Sequence, residues 1–403
     1  MKVLQCHNFY KLSGGEDHVF RDEGWLLEQY GHEVIRYQRH NQELDKMSPL
    51  KMAQSTIWSK QSSRELSDLL RQHKPDIAHF HNTFPLISPS AYRAAQNFGV
   101  PVVQTLHNYR MICPSATLLR NKEFCQKCVG KKFAYPSIVH KCYRGSRKAS
   151  AVTALANAFQ TTLGKSTQLV DRFIALGERS RRVFLASGIA AHKIQIKPNF
   201  VHPDPGMGTT KEDYAVFVGR LSTEKGIDTL LSAWNGCETN VVKNIPLRII
   251  GEGPMEKTVL RACERNEQIK YLGQLPYSDV LCQIRNARVL VFPSIWNETF
   301  GRSMIEAFAS GTPVIASNIG SMADIVQDGV NGLHFQAGDA SDLRQKLVRL
   351  FDDGVFYDRA CHAARNSFME KFTPEINIER LLAIYSEAST ARSKTREQTR
   401  DQM

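Results

Sequence analysis

The chain has 403 residues, 42% of them hydrophobic and 23% charged. That length favours two domains over one core, and the composition is that of a soluble globular protein. The longest apolar run, residues 289–293, is far short of the roughly 20 residues needed to cross a bilayer, which excludes a helical membrane span.

The N-terminus, MKVLQCHNFY, holds one lysine and no small-residue cleavage site, so it reads as a first β-strand rather than a secretory leader, and the expected location is the cytoplasm. The net charge of +12 sits in the first half, where residues 1–200 carry 29 Lys and Arg against 14 Asp and Glu. Residues 110–148 hold ten basic side chains and one acid, Glu123. Such a stretch suits anionic lipid headgroups or a phosphate-bearing acceptor; a solvated basic face is the equal alternative. It matches no groove-reading module, so nucleic acid is not an expected partner.

In chain order, the pattern predicts strand 3–6, a helix marked by Val19, Phe20, Leu26, Leu27 and Tyr30 that Gly31 ends, and a strand from Val34. A helix then carries Leu66, Leu69 and Leu70, with Ser62 and Glu65 at capping-box spacing. Strands 76–81 and 102–106 follow, then an irregular, basic, cysteine-bearing loop over 107–150. A helix near 155–163, strand 172–176 and a helix over 180–186 complete a first domain of residues 1–198. Residues 199–212, with Pro203, Pro205, Gly206 and Gly208, read as a linker. A second alternating set over 213–375 has strands 214–218, 247–250, 269–272, 289–292, 314–316 and 332–335. Residues 376–403 read as a C-terminal helix and a polar tail that frays from Ser386. Alternating strands and helices in both halves predict parallel sheets covered by helices, an α/β architecture of two Rossmann-like domains facing across a cleft.

Two segments carry chemistry. In VFVGRLSTEKGID, residues 216–228, a strand ends at Gly219 and puts Arg220 and Lys225 at the carboxyl end of a sheet, where such folds bind ligands. Two cations there suit a diphosphate; read alone, the loop is equally an exposed basic turn. In PSIWNETFGRSMIEAFASGTPVIAS, residues 293–317, Glu298 precedes a helix start and Glu306 follows eight positions later. The helix N-terminus around Thr299, Phe300, Gly301, Arg302 and Ser303 offers unpaired amides to phosphate or sugar oxygens. Glu298 is expected at the mouth, and Glu306 inside the pocket as an acceptor for ribose hydroxyls.

Glu298 and Glu306 match the E-x7-E element of retaining glycosyltransferases of family 4, and GR-x4-KG, GEGP at 251–254 and GTPVIAS at 311–317 match in the same order. The segments HNFYKLSGGEDHVF, DIAHFHNTFPLISP and LHNYRMICP resemble a bacterial branch of this family that builds surface polysaccharides. The resemblance implies the GT-B fold, with Arg220 and Lys225 on the diphosphate of a UDP- or GDP-sugar, Glu306 on the ribose and Glu298 on the sugar hydroxyls. It also implies that Gly14 and Gly15 let backbone approach the phosphates and that His107, at a strand end, bonds donor sugar or acceptor. His79 and His81 rank below it. The acceptor implied is a glycan or a lipid-linked saccharide, at the inner face of the membrane.

No D-x-D triplet occurs in the chain, so a two-carboxylate metal bridge has no obvious ligands and a catalytic metal is not expected. Front-face transfer with retention is the expected mechanism, Glu298 positioning rather than attacking. Cys113, Cys125, Cys128 and Cys142 lie in the basic loop around a C-x2-C pair and suit a structural zinc, with free thiols or a redox pair as alternatives. Cys6, Cys237, Cys263, Cys282 and Cys361 read as small core residues. Rival readings are a sugar-nucleotide epimerase on the same fold and a catalytically silent nucleotide-sugar binder.

Overall fold

The structure is a computed structural model that describes residues 1–11, 14–159, 166–235 and 245–400. It divides into two compact units. The first comprises Met1–Leu118, Cys125–Pro198 and the C-terminal stretch from Asn377; the second comprises Leu119–Phe124 and Asn199–Ile376.

The first unit is built on β1 (Lys2–Phe9), β2 (Glu33–His40), β3 (Ile77–Phe80) and β4 (Val102–Thr105). A two-stranded antiparallel hairpin, β5 (Leu119–Arg120) and β6 (Glu123–Phe124), counts with the second unit. β7 (Arg172–Ala175) and β8 (Ile194–Ile196) complete the first sheet, an all-parallel one in the order β2-β1-β3-β4-β7-β8. Because helices cover a parallel sheet on both faces, its inner strands β1, β3, β4 and β7 are buried nearly throughout, and β1 is exposed only at Lys2. The second sheet contains β9 (Glu212–Val218), β10 (Leu247–Ile250), β11 (Ile269–Gly273), β12 (Ala287–Phe292), β13 (Val314–Ser317) and β14 (Gly332–Phe335). Its order is β11-β10-β9-β12-β13-β14, again all parallel, so chain direction along the sheet reverses between β9 and β12. In such a doubly wound sheet ligands bind outside the carboxyl ends of the strands at that reversal. The two units are Rossmann-like α/β domains, each with its own core.

Three sequence expectations change. The helix Lys60–His73 is capped by Ser59, whose hydroxyl accepts from Ser62 N, so the cap lies three residues before the predicted one. The helix expected over 155–163 is Arg147–Ala158, and residues 160–163 of that expectation lie outside the described residues. The polar tail is helical: Pro374–Arg400 is one helix. Ile378, Leu381, Tyr385, Ala388 and Arg392 are buried at three- and four-residue steps, a stripe that continues past Ser386. Tyr385 Oη lies 2.8 Å from His79 Nδ1, and Arg392 donates to both oxygens of Asp171 at 2.8 Å. These contacts hold a segment whose composition alone reads as fraying.

Candidate active site

In the second unit the loop after β9 turns through the short helical stretch Thr223–Lys225 into Gly226, at φ 72°. A Cβ there would lie 1.9 Å from Pro293 O, so only glycine lets this loop pack on the one that follows β12. The packing is reinforced where Ile295 N donates to Glu224 O at 2.9 Å. It brings Lys225 Nζ to 2.6 Å from Glu298 Oε1, the same oxygen that accepts from Ser294 Oγ at 2.7 Å. Lys225 also lies 5.5 Å and 5.7 Å from the ring centres of Phe292 and Trp296. Arg220 is exposed at the carboxyl end of β9.

Glu298 is only 5% exposed, which corrects the expectation that it stands at a pocket mouth. The cause is the chain's path: Glu298 O accepts from Ser321 N at 3.2 Å, and a Cβ on Gly320 would come within 2.9 Å of Glu298 N. The helix begins later than expected, as Arg302–Ala309 with Gly301 as N-cap at φ 143°. Glu306 therefore lies one turn into it, 4% exposed, and accepts from Arg302 Nε at 2.8 Å. Arg302 is held in turn by Tyr277 Oη at 3.0 Å. Thr299, Phe300 and Ser303 are buried around this turn. The unit thus presents two buried carboxylates, each with its own cation, beside a helix N-terminus and next to the strand reversal.

In the first unit Gly14 caps the helix Gly15–Gln29, with its N–H donating to Asp17 Oδ2 at 3.0 Å. Neither Gly14 nor Gly15 has a left-handed φ, and a Cβ on Gly15 would meet nothing within 4 Å, so the helix tip is open there. Asp17 turns inward to His7 Nε2 at 2.7 Å, and Glu16 accepts from Tyr10 Oη at 3.0 Å and Asn108 Nδ2 at 2.6 Å. Burial pushes the Glu16 carboxyl above its ordinary range. His107, just past the end of β4, is 8% exposed and puts Nε2 3.0 Å from His81 Nδ1, the rings stacked at 5.2 Å. Burial first, and His81 second, hold its pKa well below the usual imidazole value, so it is neutral at pH 7. His81 is likewise lowered to about 3, chiefly by burial. A pocket wholly within this unit is lined by His81, Asn82, Gln104, His107, Asn108 and Arg110 among others. His79 is fully buried: its ring spans from Glu23 Oε1 and Tyr385 Oη to Thr105 Oγ1.

Two family models match in sequence: "Glycosyltransferase Family 4" over residues 14–205 and "Glycosyl transferases group 1" over residues 207–367, together nearly the whole chain. The chain belongs to the family 4-like glycosyltransferases of the GT-B fold. A phosphatidyl-myo-inositol mannosyltransferase of Mycobacterium leprae is 28% identical over 59% of this chain and 65% of its own. An uncharacterized 41.2 kDa protein from the cps region of Klebsiella pneumoniae is 30% identical over 42% of this chain and 45% of its own. The chain thus spans less than two thirds of either relative. Among solved structures, HepE of Anabaena in complex with UDP and glucose superposes with a TM-score of 0.68 at 17% identity, covering 96% of this chain and all of that one.

Sequence reasoning missed several buried polar residues of the chain. Glu23 is fully buried, with His79 Nδ1 at 2.9 Å, His81 Nε2 at 3.2 Å and Lys197 Nζ at 2.8 Å. Burial alone would raise its carboxyl, but Lys197, His79 and His81 hold it well below the ordinary range. The available signal was spacing, since Glu23 lies four residues after Val19 and three before Leu26 on the buried helix face. In the basic loop Cys113 and Cys128 are buried and Cys125 and Cys142 partly so. Of the cysteines expected in cores, Cys6 and Cys361 are buried, Cys263 is partly buried, Cys282 is exposed in the middle of the helix Tyr277–Asn286, and Cys237 lies outside the described residues.

Proposed function

We propose that this chain moves a hexose from a UDP- or GDP-sugar to a glycan or lipid-linked acceptor with retention of anomeric configuration, in polysaccharide biosynthesis. The observation that carries the reading is the pairing of Lys225 with Glu298 and of Arg302 with Glu306 beside the strand reversal of the second unit. In the absence of ligand each cation neutralises its carboxylate. A diphosphate arriving with Arg220 would draw Lys225 onto its oxygens and release Glu298 to accept from sugar hydroxyls, while Glu306 accepts from the ribose. Backbone amides from Thr299 to Ser303 add donors without adding charge. His107, neutral and buried, can donate or accept a hydrogen bond at the reacting sugar but holds no proton to give at pH 7.

The leaving diphosphate is stabilised by side-chain cations and amide dipoles rather than by a bound divalent ion, and its departing oxygen takes the acceptor proton. The HepE complex with UDP and glucose supports the donor class, and the relative from a cps region supports the polysaccharide role. The acceptor is expected at an anionic membrane surface on its inner face. Tyr135 (54% exposed) and Val139 (59%) share one face of a short helix, beside Phe133, Lys131 and Lys132, and residues 124–170 contain no acid. Apolar tips set among lysines favour such an interface.

The decisive experiment follows transfer by NMR after a panel of nucleotide sugars has been screened for thermal stabilisation. The expected product keeps the donor's anomeric configuration without added metal; an inverted product, or turnover that depends on added magnesium or manganese, defeats the mechanism. Neutralising Lys131, Lys132, Arg144, Arg147 and Lys148 together should abolish co-sedimentation with phosphatidylglycerol vesicles, and unchanged sedimentation defeats the membrane reading.

A further inference from the structure

We propose that Cys113, Cys125, Cys128 and Cys142 bind one zinc ion that shapes the basic loop of the first unit. Each cysteine stands at a turn. Ala116 N donates to Cys113 O at 2.8 Å, and Cys125 N donates to Leu118 O at 2.7 Å; Ala116 and Leu118 have φ 68° and 51°. Cys128 is followed by Gly130 at φ 73°, and its carbonyl accepts from Lys131 N at 3.3 Å. Cys142 follows Lys141, at φ 52°, and its N–H donates to Ser137 O at 2.9 Å. The other three thiols are all electrostatic neighbours of Cys128, Cys113 first among them. A C-x2-C bite with one further thiolate from each flank is the donor set of a closed tetrahedral site.

The loop needs such a clasp. Among the described residues eight non-glycine positions have left-handed φ, and six of them, Ala116, Leu118, Asn121, Lys122, Lys141 and Arg144, fall in this one stretch. Backbone of that kind persists only where its surroundings over-determine it. At Cys128 the apolar cluster is Ala134 and Ala154 with Ile138 against it, a small core for a stretch of this length. Four thiolates on a dication leave two negative charges, and the same stretch of sequence carries Lys127, Lys131, Lys132, Lys141 and Arg144 to balance them. The basic composition of the loop then serves the metal centre as well as any lipid.

A second metal candidate is weaker. Glu23, His79 and His81 form the one group among the described residues whose three ligating atoms all lie within 4.8 Å of one another. Lys197 Nζ already balances the carboxylate through Glu23 Oε2, Tyr385 and Thr105 hold the two nitrogens of His79, and His107 holds His81 Nδ1. The four sulfurs stand further apart than that, so zinc must draw the turns inward and tighten the loop.

The test uses the full-length protein expressed with zinc supplementation. Elemental analysis should find one zinc per chain, released by a mercurial reagent in proportion to the thiols titrated. The cobalt-substituted protein should show thiolate-to-metal charge-transfer bands, and stripping the ion should speed proteolysis within residues 113–148 at least tenfold. Cys128→Ser should lower zinc content at least tenfold while Cys361→Ser leaves it unchanged. Absence of stoichiometric zinc, a cobalt spectrum without thiolate bands, or full zinc retention in Cys128→Ser overturns the proposal. If Cys128→Ser does not fold, the cobalt spectrum of the unmodified chain decides.

Discussion

Replacing Lys197 by methionine tests the buried ionic centre of the first unit. Lys197 is 1% exposed, and its ammonium reaches Glu23 Oε2 at 2.8 Å and Asn377 Oδ1 at 3.0 Å. Methionine keeps most of the volume but leaves the Glu23 carboxylate buried beside His79 and the neutral His81. Removing one partner of such a pair costs about 3–5 kcal/mol, whereas replacing both by apolar groups is often neutral. Lys197→Met should therefore lose about 3–5 kcal/mol, and Glu23→Leu added to it should restore most of that. The pH dependence follows from the sign of the Glu23 shift. A depressed carboxyl contributes stability above its unfolded value, near 4.5, and loses it as pH falls through the folded value. Without Lys197 the carboxyl protonates at higher pH, so the variant's deficit is largest near pH 7 and narrows on acidification. Native-state hydrogen exchange of β1 and β3 amides is the suitable assay, because two units need not unfold together. A loss below about 1 kcal/mol, or a double variant no better than the single one, would refute the reasoning.

Other perturbations probe the second unit and the histidines. Gly226→Ala forces a Cβ to 1.9 Å from Pro293 O and should cost more than about 2 kcal/mol, together with loss of nucleotide-dependent thermal stabilisation. Gly273→Ala, at a similar φ of 69° with nothing within 4 Å, should cost only about 1–2 kcal/mol; equal effects in thermal melts would show that the loop contact does not matter. His81, neutral with its pKa lowered to about 3 from 6.5, leaves stability intact above pH 6.5 and erodes it as pH falls, by about 1.4 kcal/mol per unit. His81→Gln should flatten the acid limb of a urea-melt series, and parallel profiles would count against the assignment. Glu298→Gln should reduce turnover about 10²-fold with little change in nucleotide affinity, since it alters placement of the sugar rather than grip on the diphosphate. A rise in KM with kcat preserved would move Glu298 out of that role.

Periodicity along the chain was enough to find nearly every strand, because a buried parallel strand is a short apolar run and such runs survive in isolation. It did not reveal strand order, which depends on pairing between segments far apart. The loops after β9 and β10 were legible for a different reason: glycines at 219, 226, 251 and 253 stand where one loop's backbone passes against another's, as the approach of a Gly251 Cβ to 2.0 Å from Gly219 O demonstrates. Partner choice was not legible. Spacing alone put Glu298 and Glu306 near a helix start, but that Lys225 would close on the first and Arg302 on the second depends on how the loop after β9 meets the loop after β12.

Lys197 shows the limit most sharply. In sequence it is a cation beside Pro198 at the edge of a linker, a setting that reads as exposed, yet it follows β8, whose end brings it against Glu23 on the first helix and Asn377 on the last. A burial pattern of period two or 3.6 says which face a residue occupies and nothing about which charge from elsewhere awaits it there. Buried ionic residues are therefore the class for which a sequence reading is least complete. Here they also join three segments remote in the chain, so the C-terminal helix that composition alone would leave frayed is tied by Asn377, Tyr385 and Arg392 to polar groups of the first unit.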